Sequence, residues 1–125
     1  MAQFREDLRY GGILDPLEER LIDAGSAISG SGPAYVYLFI EALADGAVAC
    51  GIPRAKAMEY AAATVIGAGE MVLQTHQHPG ALKDAVCSPG GSTIAGIRAL
   101  EAGGFRSAAM EAVVATYLRN KELGK

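Results

Sequence analysis

The sequence predicts an all-α fold, a bundle of about five or six helices. Three observations carry this. Apolar residues recur at helical spacing almost throughout, and no strand-like alternation stands out. Prolines and glycines fall between the periodic segments, where helices stop and start. Half of the 125 residues are hydrophobic but only 6% are aromatic, and 16 are glycine, so the core is built of small and aliphatic side chains that let backbones approach.

The first element is the least defined. "LRYGGILDPLEERLIDA" reads as a short extended piece followed by a helix from Pro16. In "AISGSGPAYVYLF", Ser31 or Gly32 serves as N-cap and Pro33 fits the first turn, where its missing N–H costs nothing. The helix from Pro33 to Cys50 carries Val36, Phe39, Ile40, Leu43, Ala47 and Cys50 as one stripe. Gly51 stops it, and Pro53 opens a helix running to Thr75. That helix presents a small face of Met58, Ala61, Ala62, Val65, Gly69 and Val72. Gly67 and Gly69 each cost about 1 kcal/mol of helix propensity against Ala, which points to tight packing there.

A short helix follows from Pro79 to Cys87, closed by Pro89. "STIAGIRALEAGG" is the next, with Ile94, Ile97 and Leu100 on one side and Gly103-Gly104 as its stop. The terminal helix starts at Phe105 and turns Phe105, Ala109, Ala112, Val113 and Thr116 inward. Arg119, Lys121 and Lys125 gather at its C-terminal end, where the helix dipole favours cations. "AAATVIGAG" is apolar nearly all the way round. One buried central helix would satisfy it. An obligate dimer is the preferred reading, because two chains build the larger core.

Composition narrows the function. The length fits one domain. A net charge of -3 leaves no basic footprint for nucleic acid. No segment reaches the roughly 20 uninterrupted apolar residues of a membrane span, and "MAQFREDLRY" holds no secretory h-region. Cys50 and Cys87 have no C-x-x-C spacing and read as small buried thiols of a reducing compartment. His76 and His78 in "THQHPG" lack a nearby acid or thiol, so no metal site is expected.

Gly30-Ser31-Gly32 resembles the opening of a dinucleotide loop, but the match fails. The third glycine position is Tyr35, Pro33 follows the second glycine, and a charged helical run stands where a strand belongs. The more informative segment is "CSPGGSTIAG". Ser88, Pro89, two glycines, Ser92 and Thr93 stand at the mouth of a helix whose first N–H groups lack intrahelical partners. Two readings fit this spacing: a cradle for a carboxylate or phosphate, and an ordinary helix start after a Pro-Gly turn. No catalytic set of side chains is visible. Lys83 and Asp84 are adjacent on a helix, point to different sides, and read as surface residues or a structural pair.

"AISGSGPAYVYLFIEALADGAVACGIPR", "HPGALKDAVCSPGGSTIAGIRALEAGGFRSAAMEAV" and "RNKELGK" together resemble the C-terminal domain of pyrroline-5-carboxylate reductases. The resemblance covers about residues 17–125, the helical dimerisation and substrate-binding domain; residues 1–16 resemble a linker remnant. It implies an intertwined homodimer of interlocking helices, with dimers often assembling into rings. It implies reduction of 1-pyrroline-5-carboxylate to L-proline with NADPH or NADH, the last step of cytoplasmic proline synthesis. By the same resemblance, Ser88, Gly90, Gly91, Ser92 and Thr93 hold the substrate carboxylate. Ser29, Gly30, Ser31, Gly32 and Pro33 lie near the cofactor's nicotinamide. No residue here is read as catalytic.

Two departures from the family pattern stand out. The 125 residues contain no Rossmann domain, so the cofactor is expected to bind mainly elsewhere and the chain alone to be inactive. Positions 76 and 77 are His and Gln where the family commonly has an acid. Besides a reductase domain, a non-catalytic module that pairs with a full-length reductase, and a binder of small carboxylates, remain open at this level.

Overall fold

The computed structural model describes residues 18–124, so the extended N-terminal segment, the helix start at Pro16, and Lys125 lie outside it. A 3-10 turn at Glu19–Leu21 leads into six α-helices. They are α1 (Ile22–Ser29), α2 (Gly32–Ala49), α3 (Arg54–Thr75), α4 (Pro79–Val86), α5 (Ser92–Ala102) and α6 (Phe105–Leu123). No strand occurs among the described residues. The all-α bundle expected from the sequence is the fold found.

The α2–α3 hairpin turns through Cys50–Pro53. Gly51 takes φ +105°, which L side chains rarely adopt. Its N–H donates to Val48 O at 2.9 Å, and the Ile52 N–H donates to Ala47 O at 3.0 Å. That pair of bonds is a Schellman stop. Ile52 completes it by packing with Ala47 and Val48 against the buried alanines. Pro53 is not in the first turn of α3, as expected, but is its N-cap, with ψ 143°. A helical ψ at that position would close the corner too early.

The α1–α2 junction differs more. Ser31 occupies the N-cap of α2, yet no side chain caps that helix. Gly30 and Ser31 both keep right-handed helical backbone, at φ -87°, ψ -46° and φ -95°, ψ -23°. Their N–H groups converge on Ser26 O at 2.9 and 3.1 Å. The junction is a jog between two helices, not a capped restart, so no hydroxyl is needed to satisfy it. Pro33 does lie in the first turn.

Packing pairs α2 with α3, α1 with α6 and α2, and α5 with α6. The interior is built of alanine alone. Among the described residues, Ala27, Ala44, Ala57 and Ala61 are the buried hydrophobic ones, and no large side chain is fully buried. The inward stripe of α2 is therefore rotated from the expected one. Ala44 is its buried residue, Ile40, Ala47 and Val48 pack beside the core, and Val36, Leu43 and Cys50 are exposed. On α3, Ala57 and Ala61 face inward while Met58 is exposed. Gly67 and Gly69, expected in tight contact, meet nothing within 4 Å of an added Cβ in this chain. On α6, Ala112, Val113 and Thr116 are half-buried, but Phe105 and Ala109 are exposed. Phe105 still leans on Phe39 of α2, with ring centroids 5.3 Å apart. These differences share one cause. The chain is apolar on several faces, and the small residues let helices approach while the large ones point outward.

Among the described residues, nineteen large hydrophobic side chains remain exposed. An isolated bundle this size ordinarily buries most of its Leu, Ile and Val. Surface ion pairs such as Arg54–Asp45 and Arg119–Glu122 add little to stability. The Lys121 ammonium lies 5.4 Å from the Tyr117 ring centroid, near the end of α6.

Candidate functional site

The α4–α5 connection brings Ser88, Gly90, Gly91, Ser92 and Thr93 into one turn and one helix start. α4 ends at Val86, and Cys87 leaves it in extended backbone. The Gly91 N–H then donates to Ser88 O at 3.0 Å. With Pro89 at the second position and Gly90 at φ +69°, Ser88–Gly91 is a type II turn. Proline pre-sets the first corner, and only glycine accepts the second without strain. Gly91 is required for a different reason. Its added Cβ would fall on Ser88 Oγ and lie 3.2 Å from Ser88 O.

Gly91 is the N-cap of α5, in extended backbone, and no side chain caps the helix. Ser92, Thr93 and Ile94 fill the first turn, where N–H groups have no intrahelical acceptor. Ser88, Ser92 and Thr93 are exposed. By contrast, the hydroxyls of Ser29, Thr64, Thr75 and Thr116 all bond back to a carbonyl four residues earlier. The result is an open end of a helix with positive dipole and bare donors, suited to a small anion.

Ser29, Gly30, Ser31, Gly32 and Pro33 gather at the α1–α2 junction. Ser29 Oγ donates to Gly25 O at 3.1 Å, so that hydroxyl is engaged in its own helix. A Cβ on Gly30 would lie 3.0 Å from Ser26 O. Gly32 meets nothing within 4 Å and leaves the face open. Neither glycine has the positive φ of a phosphate-cradling loop. No hydrogen bond among the described residues joins this junction to the Ser88 turn.

His76 ends α3 in left-handed backbone at φ 56°, its N–H donating to Val72 O at 3.1 Å. His78 caps α4, its Nδ1 accepting from the Gly80 N–H at 2.9 Å. Lys83 and Asp84 do not diverge as expected. The ammonium reaches back to Asp84 Oδ1 at 3.0 Å, a structural pair. Cys50 and Cys87 are free, and Cys50 is exposed where a buried thiol was expected, because α2 turns Ala44 inward in place of that stripe. Among the described residues no group of three His, Cys, Asp or Glu side chains is placed to hold a metal. Nor is any helix among the described residues long and apolar enough to cross a membrane.

Sequence reasoning missed one polar cluster. Tyr35 Oη hydrogen-bonds with Thr116 Oγ1 and lies 3.3 Å from Ala112 O. These residues are far apart in the chain, and nothing local marks them as partners. A hollow of about 240 Å³ between Lys83, Leu100 and Phe105 was likewise not foreseen.

A family model described as "Pyrroline-5-carboxylate reductase dimerisation" matches residues 19–123. A pyrroline-5-carboxylate reductase of Synechocystis is 58% identical over 107 residues, covering 86% of this chain and 40% of the relative. That of Escherichia coli is 50% identical over 117 residues, covering 94% of this chain and 44% of the relative. Among solved structures, the Plasmodium falciparum pyrroline carboxylate reductase with NADP bound superposes with a TM-score of 0.85 at 41% identity, covering 91% of this chain and 44% of that one. This chain thus spans less than half the length of these relatives. With the helical fold and the family match over 19–123 in agreement, the chain belongs to the pyrroline-5-carboxylate reductase family and carries its dimerisation domain.

Proposed function

We propose that this chain supplies the dimer interface and the substrate-carboxylate loop of a reductase that converts 1-pyrroline-5-carboxylate to L-proline. The observation that carries the proposal is the uncapped N-terminus of α5 behind the Ser88–Gly91 turn. The carboxylate accepts from the N–H groups of Ser92, Thr93 and Ile94 and from the hydroxyls of Ser88 and Thr93, in the field of the helix dipole. Gly91 gives room for its approach. Its own N–H is engaged by Ser88 O.

The cofactor is NADPH or NADH, bound mainly by a dinucleotide domain outside these residues; when bound, it supplies hydride to the imine carbon. The α1–α2 junction fits a flanking role only. Its glycines do not form a phosphate loop, but Gly32 leaves open space against which a nicotinamide end can rest. What this domain contributes is position: the carboxylate is fixed, so the imine carbon is held in one place.

The partner is a second copy of the chain. The all-alanine interior, the exposed apolar faces of α2 and α3 and the open flanks of Gly67 and Gly69 support an interlocked homodimer. Rings of dimers would build on it. We assign the protein to the cytoplasm on the strength of the biosynthetic role alone.

The test is NADPH oxidation with pyrroline-5-carboxylate, run on this chain joined to a family dinucleotide-binding domain. Turnover is expected from the joined protein. The 125-residue chain alone should turn nothing over, and calorimetry with micromolar NADPH should be flat. A joined, folded protein that binds NADPH but never reduces the imine would sink the reductase reading in favour of a non-catalytic dimer module.

A further inference from the structure

One face of α6 carries three polar attachments a helical turn apart. Ala112 O, Thr116 Oγ1 and Asn120 Nδ2 lie at i, i+4 and i+8. The Thr116 hydroxyl reaches Ala112 O at 2.9 Å. Tyr35 Oη and Thr116 Oγ1 share a hydrogen bond in which either hydroxyl can donate, and Tyr35 Oη also reaches Ala112 O at 3.3 Å. One turn on, Asn120 Nδ2 donates to Asp23 O at 3.3 Å. Tyr35 is in the first turn of α2, and Asp23 is in the first turn of α1. All these groups are at least half-buried, where hydrogen bonds are less exposed to competing water.

The two tethers fall on opposite sides of the Ser29–Pro33 junction. That junction has little else to hold it. α2 has no side-chain cap, and Gly30 and Ser31 share the single acceptor Ser26 O. α6 packs along α1, whereas among the described residues its polar links to α2 run through Tyr35, beside the Phe39–Phe105 ring contact.

We propose that Thr116 and Asn120 are positioning residues, acting through Tyr35 and Asp23 to set the Ser29–Pro33 junction against the nicotinamide end of the cofactor. The catalytic part of this inference rests on the reductase reading above; the mechanical part does not. α6 is the rod, and the ladder on it fixes how α1 and α2 meet. The consequence is a division of labour: the Ser88 turn governs substrate affinity, while the α6 ladder governs the alignment that matters once both ligands are bound.

The experiment has two arms. In the first, amide hydrogen exchange is followed on the full chain with Thr116→Val, which keeps the shape and loses the hydroxyl, and Thr116→Ser, which restores it. Tyr35→Phe removes the same bond from the other side, in case Thr116→Val folds poorly. Thr116→Val and Tyr35→Phe should each speed exchange at Gly30 and Ser31 by roughly 2- to 10-fold, the range one net hydrogen bond allows. Ala57 and Ala61 should exchange as before, and Thr116→Ser should return the junction to the original rate. Equal acceleration at Ala57 and Ala61, or none at the junction, overturns the ladder. In the second arm, the joined reductase carrying Thr116→Val should lose kcat by a similar factor with its KM for pyrroline-5-carboxylate unchanged. A raised KM with kcat intact overturns the alignment role. An inactive unsubstituted enzyme overturns the reductase reading and the catalytic role with it, while the exchange arm still decides the mechanical one.

Discussion

Ser88 and Gly91 close the α4–α5 turn on each other twice over. The Gly91 N–H donates to the Ser88 carbonyl at 3.0 Å, and the Ser88 hydroxyl occupies the space a Cβ of residue 91 would take. Gly91→Ala therefore has to displace Ser88 Oγ and press on its carbonyl. In the joined reductase this should raise KM for pyrroline-5-carboxylate by about 10-fold, the effect of losing one hydrogen bond to a charged group. Steady-state kinetics read it directly, and an unchanged KM would remove Ser88 from the carboxylate site. Gly90→Ala acts otherwise. Its φ of +69° makes it a strain on the backbone, costing about 1 kcal/mol of stability, visible as a lower melting temperature.

Thr93 sits inside the first turn of α5, past the N-cap at Gly91, and no side chain caps that helix. Thr93→Ala should thus leave stability within about 0.5 kcal/mol, as for an ordinary exposed substitution. The kcat/KM for pyrroline-5-carboxylate should fall roughly 10- to 150-fold, the range for a hydrogen bond to a charged group. NADPH affinity should hardly move. Melting temperature and kinetics on one sample separate the outcomes: lost stability with intact kcat/KM would make Thr93 structural.

The α2–α3 contact is set by methyl groups. Ala44 is fully buried against Ala57 and Ala61. Ala44→Leu adds three carbons where the helices meet and should cost about 1–3 kcal/mol by overpacking. A urea titration would show it as a lower midpoint. An unaltered midpoint would mean that the helices are not in close contact at this level.

Light scattering across micromolar concentrations should report twice the chain mass. A well-folded monomer throughout that range would contradict the interlocked dimer. It would also leave the exposure of Leu38, Ile66 and Met71 without a purpose.

Features written locally were legible in the sequence. Gly51, Pro79 and Gly104 act within a turn of where they stand, so helix ends near them were read closely. The Pro89-Gly90 corner was legible for the same reason. Inward faces were harder. Periodicity marks an apolar stripe, but α2 has apolar residues on more than one side, and Ala44 rather than Leu43 turned out to face α3. Large residues on such helices are free to serve a surface other than the chain's own interior. Ser31 is the N-cap the sequence marked, but its side chain makes no cap bond, because the junction is a jog in which the Gly30 and Ser31 N–H groups both go to Ser26 O. The Tyr35–Thr116 bond spans 81 residues and leaves no local signature at all.

The pairing of α1 with α6 also has a bearing on the order in which the chain assembles. The Arg54–Asp45 bridge closes a separation of 9 residues, and the Asn120–Asp23 bond closes one of 97. By loop-closure entropy the longer connection costs about 2 kcal/mol more to form. The α2–α3 hairpin is thus the natural nucleus, and the clasp between the first and last helices comes late. The same inequality runs backward when the protein loosens. The clasp is the first seam to part, and the Ser29–Pro33 junction lies between the part of the molecule that sets early and the part that sets last.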